Sequence, residues 1–137
     1  MWPAPSRHPW LFTGAALGGV IVVTAATATW SSRQQAERIA RAITGGDPAR
    51  AEHIMRRYGC GGCHTIPGLA GADGQVGPPL SGLIHRVYIG GAASHSPDGL
   101  IQWIVAPQRF SPRSAMPATG ISEAEARDVA AYLYALN

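Results

Sequence analysis

The chemistry of this chain starts at one pentapeptide, Cys60-Gly61-Gly62-Cys63-His64. Two thiols three residues apart lie about one helical turn from each other. That spacing lets both form thioether bonds to the vinyl groups on neighbouring pyrroles of one haem, and the next residue becomes the proximal ligand of the iron. The pattern therefore reads as a c-type haem attachment signal, with His64 on the metal. A thioredoxin-like redox pair or a zinc site would use the same Cys-x-x-Cys unit. The first lacks its βαβ context here and the second lacks another ligand pair. With Cys60 and Cys63 the only cysteines in the chain, a disulfide-stapled scaffold is excluded.

An iron held by one histidine takes a second axial ligand for low-spin electron transfer, and the candidate is Met116, followed by Pro117. Methionine on a helix is usually a core filler, and Met55, at helical spacing with Ile54 and Tyr58, reads as one. Met116 sits in an irregular stretch, where filler is less needed. A thioether ligand favours ferrous iron and raises the potential, which suits a carrier working toward a terminal acceptor. His53, His85 and His95 are the rivals for the sixth position. An open sixth position, with His95 in the Ala93-Ser94-His95-Ser96 turn as distal acid or base, would instead make the chain a haem enzyme or gas sensor.

The elements that position these residues are helices and long loops. Asp47-Pro48 supplies an N-cap and a first-turn proline for a helix through about Tyr58, which delivers Cys60. Gly59 to Gly82 is rich in glycine and proline and has no period, yet it contains Ile66, Leu69, Val76 and Leu80. Such a loop needs something to wrap around. Ser96-Pro97 opens another helix, through Leu100, Ile101, Trp103 and Ile104, that ends before Pro107. Gln108 to Gly120 is irregular again. Ser122-x-x-Glu125 is a capping box for the last helix, Ile121 can staple onto Ala126, and the apolar stripe is Ala126, Val129, Ala130, Leu133, Leu136. No strand alternation and no repeat occurs, so the fold class is all-α. A domain covering 47–137 buries only roughly 60% of its unfolded surface, and its two long loops call for a prosthetic group in the core.

The 137 residues carry 46% hydrophobic content, 17 glycines and 11 prolines, which leaves room for one compact domain plus a tail. The formal charge of +3 comes from the N-terminal part. Residues 1–46 hold Arg7, Arg33, Arg38 and Arg41 against Glu37, whereas from Asp47 onward seven arginines meet seven acids. The folded part therefore offers no basic field for nucleic acid.

Leu11 to Thr29 is nineteen residues without a charge, between Trp10 and Trp30. As a helix it would span about 28 Å, the thickness of a bilayer core, and the paired tryptophans match the interfacial belt of a spanning helix. A cleaved signal peptide is the alternative, with Arg7 as its basic region and Ala26-Thr27-Ala28 as a cleavage site. The expected organisation is thus 1–30 as membrane anchor or uncleaved signal, 31–46 as a helical stalk, and 47–137 as the haem domain. Arg33, Arg38 and Arg41 after the span point the domain inward by the positive-inside rule. The haem chemistry points it outward. Gly14 and Gly18 have the spacing of a helix contact in lipid.

With Cys60 to His64 early in the domain, Gly77-Pro78 after it and Met116-Pro117 before a closing helix, residues 47–137 resemble a class I cytochrome c. The resemblance implies the cytochrome c fold with long haem-wrapping loops, one covalent haem c, and His64 and Met116 on the iron. It implies that the Pro78 carbonyl accepts the ring N–H of His64, and that Trp103, with Arg86 and Tyr88, approaches the haem propionates. It maps a helix crossing onto Ala51 and Tyr132, although Ala51 stands where the family usually has glycine. No lysine rings the haem edge, so Arg56, Arg57, Arg109 and Arg113 are the expected docking residues. The function implied is electron transfer in a respiratory chain, from a quinol-oxidising complex to a terminal oxidase. The chain would be single-pass in a bacterial inner membrane with the haem domain on the periplasmic side, as a mobile carrier or as a haem subunit of a complex.

Overall fold

The computed structural model describes the backbone of residues 9–136 and the side chains of residues 22–136. The α-helices are α1 (Pro9–Thr44), α2 (Pro48–Arg57), the single turn α3 (Cys60–Cys63), α4 (Pro97–Val105) and α5 (Glu123–Ala135). Two 3₁₀ turns, Leu83–His85 and Pro107–Arg109, punctuate the loops. The all-α expectation needs one correction. A two-stranded antiparallel hairpin, β1 (Tyr88–Ile89) and β2 (Ala93–Ser94), pairs Tyr88 with Ser94 and Ile89 with Ala93. At two residues per strand, it is too short for alternation to be read from sequence.

The chain forms two compact units, Met1–Gln34 and Gln35–Asn137. In the first, every side chain from Val22 to Trp30 is exposed. The hydroxyls of Thr27, Thr29, Ser31 and Ser32 each donate to the carbonyl three residues back, at 2.9 to 3.0 Å. Among the described residues no helix is long and apolar enough to cross a membrane. The side chains of Leu11 to Ile21, with Arg7, Trp10, Gly14 and Gly18, lie outside the described residues.

In the second unit the local signals act as read. Asp47 caps α2 by accepting from Ala49 N at 3.0 Å, Ser96 caps α4 by accepting from Gly99 N at 3.0 Å, and Ser122 with Glu125 forms the capping box of α5. Helix α2 buries Ala51, Ile54 and Met55, and α5 buries Ala126, Val129, Ala130 and Leu133, each at helical spacing. These faces meet in one core, which α4 extends with Leu100, Ile101, Trp103 and Ile104. Met55 is fully buried, as a core filler should be. Ala51 is also fully buried, and the Tyr132 hydroxyl donates to the Pro67 carbonyl at 2.6 Å.

The last turns of α1 belong to this unit. Arg127 donates to the Thr44 carbonyl at 2.9 Å, and the Asp128 carboxylate accepts from the Asp47 N–H at 2.6 Å and from Arg50 at 2.9 Å. The backbone approaches so closely that a Cβ on Gly46 would stand 2.0 Å from the Arg127 carbonyl oxygen. Its hydrogen bond with Asp128 raises the pKa of Arg50 above its ordinary value. Asp128 is 4% exposed, so its removal leaves the Asp47 N–H without an acceptor. Asp128→Ala is expected to destabilise the holoprotein by about 2 kcal/mol in urea unfolding. Arg50→Ala, which removes only an exposed partner, should shift the midpoint far less.

Candidate functional site

The second unit contains a cavity of ≈ 370 Å³, and all but one of the residues expected to bind haem meet in it. Cys60, Cys63, His64, Pro78, Arg86, Trp103 and Met116 all line its wall. They come from α3, from the loop behind it, from α4 and from the loop before α5.

The geometry follows from how the first loop folds. Gly62 N–H bonds to the Gly59 carbonyl and His64 N–H to the Cys60 carbonyl, both at 3.0 Å, so the pentapeptide is one helical turn with both thiols on the cavity side. The loop then returns over that turn. Gly74 N–H donates to the Gly61 carbonyl at 3.1 Å, Gly77 N–H to the Cys63 carbonyl at 2.8 Å and Leu80 N–H to the Thr65 carbonyl at 2.9 Å. Ile66 and Leu69 are buried beneath it with Ala72, whereas Leu80 is half-buried and Val76 is 78% exposed, both at the cavity wall.

His64 Nδ1 lies 2.7 Å from the Pro78 carbonyl oxygen. A carbonyl can only accept, so Nδ1 carries the hydrogen and the neutral ring keeps its lone pair on Nε2, the atom needed for iron. The pairing depends on Gly77, where a Cβ would stand 2.3 Å from His64 Cε1 and 2.6 Å from Nδ1. Gly77→Ala is expected to turn the ring and break the Pro78 bond, destabilising the holoprotein by about 1–3 kcal/mol. Loss of the His64 ring N–H resonance by NMR checks it.

Burial pushes the Cys60 thiol up, a hydrogen bond to its own backbone partly offsets this, and Cys63 adds to the rise. The nucleophilic cysteine of a dithiol oxidoreductase has the opposite shift, because it works as a thiolate. Zinc would need more ligands, and the described residues contain no cluster of three or more His, Cys, Asp or Glu able to hold a metal.

The remaining expectations divide. Trp103 is buried at 7% exposure, with its ring 6.2 Å from that of Phe110. Arg86 donates to the carbonyls of Pro79 and Ser81, so it ties the segment that carries Pro78. Tyr88 stands apart from the cavity. It is 61% exposed, because strand alternation turns Tyr88 outward where it buries Ile89, and Ile89 lines the wall instead. Of the rivals for the sixth position, His53, His85 and His95 do not line the cavity, whereas Met116 does.

The four arginines expected to dock a partner, Arg56, Arg57, Arg109 and Arg113, are exposed and outside the cavity wall. Arg56 pairs with Glu52 and donates to the Ala70 carbonyl, both at 3.0 Å, and Arg57 pairs with Glu125. Their charge is compensated locally. Sequence reading missed Tyr58, which lines the cavity and donates to Glu125 at 2.9 Å. It also missed the apolar wall from Leu83, Leu100, Ile104 and Leu133, although helical spacing gave three of these as core positions.

The donor set fits haem on chemical grounds: two thiols one turn apart, an imidazole with its far nitrogen free, a thioether, and an apolar wall. A family model described as Cytochrome c matches residues 48–137. No curated protein and no solved structure matches the chain significantly.

Proposed function

From the premise that this chain belongs to the cytochrome c family and is an electron-transfer protein with covalent haem c, we propose a membrane-anchored single-electron carrier of a respiratory chain. In this reading it passes electrons from a quinol-oxidising complex to a terminal oxidase, with its haem domain on the periplasmic side of a bacterial inner membrane. The observation that carries it is the convergence of Cys60, Cys63, His64 and Met116 on one cavity.

When bound, haem supplies a one-electron ferrous/ferric couple. The chain's own residues do the rest. Cys60 and Cys63 hold the group covalently, which a domain with a partly open cavity needs. His64 would bind the iron through Nε2, and the Pro78 carbonyl fixes its tautomer and orientation. Met116 would give the iron its second donor, a soft thioether that favours the ferrous state. Leu83, Ile89, Leu100 and Ile104 keep water from the site, which favours the less charged reduced form.

The anchor is supported by the run Leu11–Thr29 and by the back-bonded hydroxyls of Thr27 and Thr29, which present no free donor to an apolar medium. An anchored carrier searches in two dimensions at high effective concentration, so weak docking suffices. That agrees with the pairing of Arg56 and Arg57 with Glu52 and Glu125, which leaves Arg109 and Arg113 as the exposed arginines of the expected edge.

The test is an optical spectrum of the full chain made with haem maturation. A low-spin spectrum with the weak red sulfur-to-iron band when oxidised, and no response of the reduced form to carbon monoxide, is expected. Rapid carbon monoxide binding would overturn the carrier reading and point to a sensor or enzyme. Retention in the membrane pellet through alkaline carbonate, with release by detergent, is the expected behaviour of the anchor.

A further inference from the structure

Both polar groups of the Met116 peptide unit are held by side chains. Its N–H donates to Ser114 Oγ at 3.2 Å, a bond within its own loop, and its carbonyl accepts from Gln108 Nε2 at 2.7 Å. Gln108 lies in the 3₁₀ turn Pro107–Arg109, which continues directly from α4. That turn is part of the scaffold: Pro107 is almost fully buried, and the N–H groups of Phe110 and Ser111 both bond to its carbonyl, at 3.1 and 3.0 Å.

The second half of the loop has no comparable tie of its own. Among the described residues, no backbone–backbone hydrogen bond connects 115–120 to a helix. Met116 itself is only half-buried. The Gln108 amide is therefore the hydrogen bond that fastens this part of the loop to the helix carrying Trp103 and Ile104 into the cavity.

We propose that Gln108 is a positioning residue: it fixes the Met116 carbonyl, holds the thioether at the cavity wall, and so sets how readily an external ligand displaces Met116. This rests on the reading of Met116 as axial ligand. A neutral hydrogen bond of good geometry shifts an equilibrium by about two- to tenfold. Gln108 acts through the backbone of Met116, so its loss loosens the ligand without removing it.

The experiment titrates oxidised full-length holoprotein with imidazole and follows loss of the sulfur-to-iron band. Gln108→Leu removes the amide, and Gln108→Glu keeps the length and removes the donor. In both, the imidazole concentration that displaces half of Met116 is expected to fall by about fivefold. Guanidinium unfolding of the same variants is measured alongside. A lowered unfolding midpoint with wild-type imidazole affinity means a merely structural glutamine and overturns the proposal. The two readings fail differently: a wild-type protein without the band overturns Met116 ligation, and with it this inference. An intact band with unchanged imidazole affinity in both variants overturns the role of Gln108 alone.

Discussion

A Cys60→Ser, Cys63→Ser double variant, expressed with haem maturation, is expected to show no haem stain on a denaturing gel and to lose cooperative unfolding. The first outcome follows because these are the only cysteines in the chain. The second follows from the cavity. Left unfilled and uncollapsed, ≈ 370 Å³ lined by apolar side chains would cost about 9 kcal/mol at roughly 24 cal/mol per Å³. That is an upper bound for a cavity open to solvent. It still rivals the whole stability of a small domain, about 5–15 kcal/mol. The walls must collapse or loosen, and Trp103 stands in one of them. Near-ultraviolet circular dichroism should lose its aromatic signal while the far-ultraviolet helical signal is partly retained. A double variant that unfolds with wild-type cooperativity and midpoint would show that the core closes without its prosthetic group.

The second large effect is expected at Met116. Met116→Ala removes the thioether and leaves no second histidine on the cavity wall to replace it, since His53, His85 and His95 do not line it and the Tyr58 hydroxyl is engaged with Glu125. The oxidised protein should lose its sulfur-to-iron band, and the reduced protein should bind carbon monoxide rapidly. The potential should fall by on the order of 0.1 V, within the span of about 0.8 V that axial ligands control. Covalent haem should remain, because Cys60 and Cys63 are untouched, and so should the bond between His64 and Pro78. A Met116→Ala protein that keeps the band and excludes carbon monoxide would assign the sixth ligand elsewhere.

The two effects separate attachment from ligation, and so do the places where each was readable. Cys60, Cys63 and His64 are legible because all three sit within one helical turn, where chain geometry alone sets their distance. The three helix starts are legible for the same reason, since Asp47, Ser96 and the Ser122–Glu125 pair act on backbone at most three residues away. Pro78 and Met116 were placed by family resemblance and by the lack of a helical period around them. Both stand on the cavity wall. Tyr88 was placed by the same resemblance and does not, because one register position in a two-residue strand decides which side chain points in.

By itself the sequence determined the helices, their caps, their buried faces and the chemistry of the attachment turn. Each of these depends on residues a few positions apart, whose separation the backbone already fixes. Tertiary structure decided the rest. It brought Asp128 to the Asp47 N–H and Arg127 to Thr44, joining the end of α1 to the domain from Gln35 onward. It set Arg57 of α2 against Glu125 of α5. And it tied the Met116 loop to the turn after α4 through Gln108. Those pairings join groups that approach only after the helices pack, so the energy that selects them lies in the assembled core rather than in any local stretch of chain.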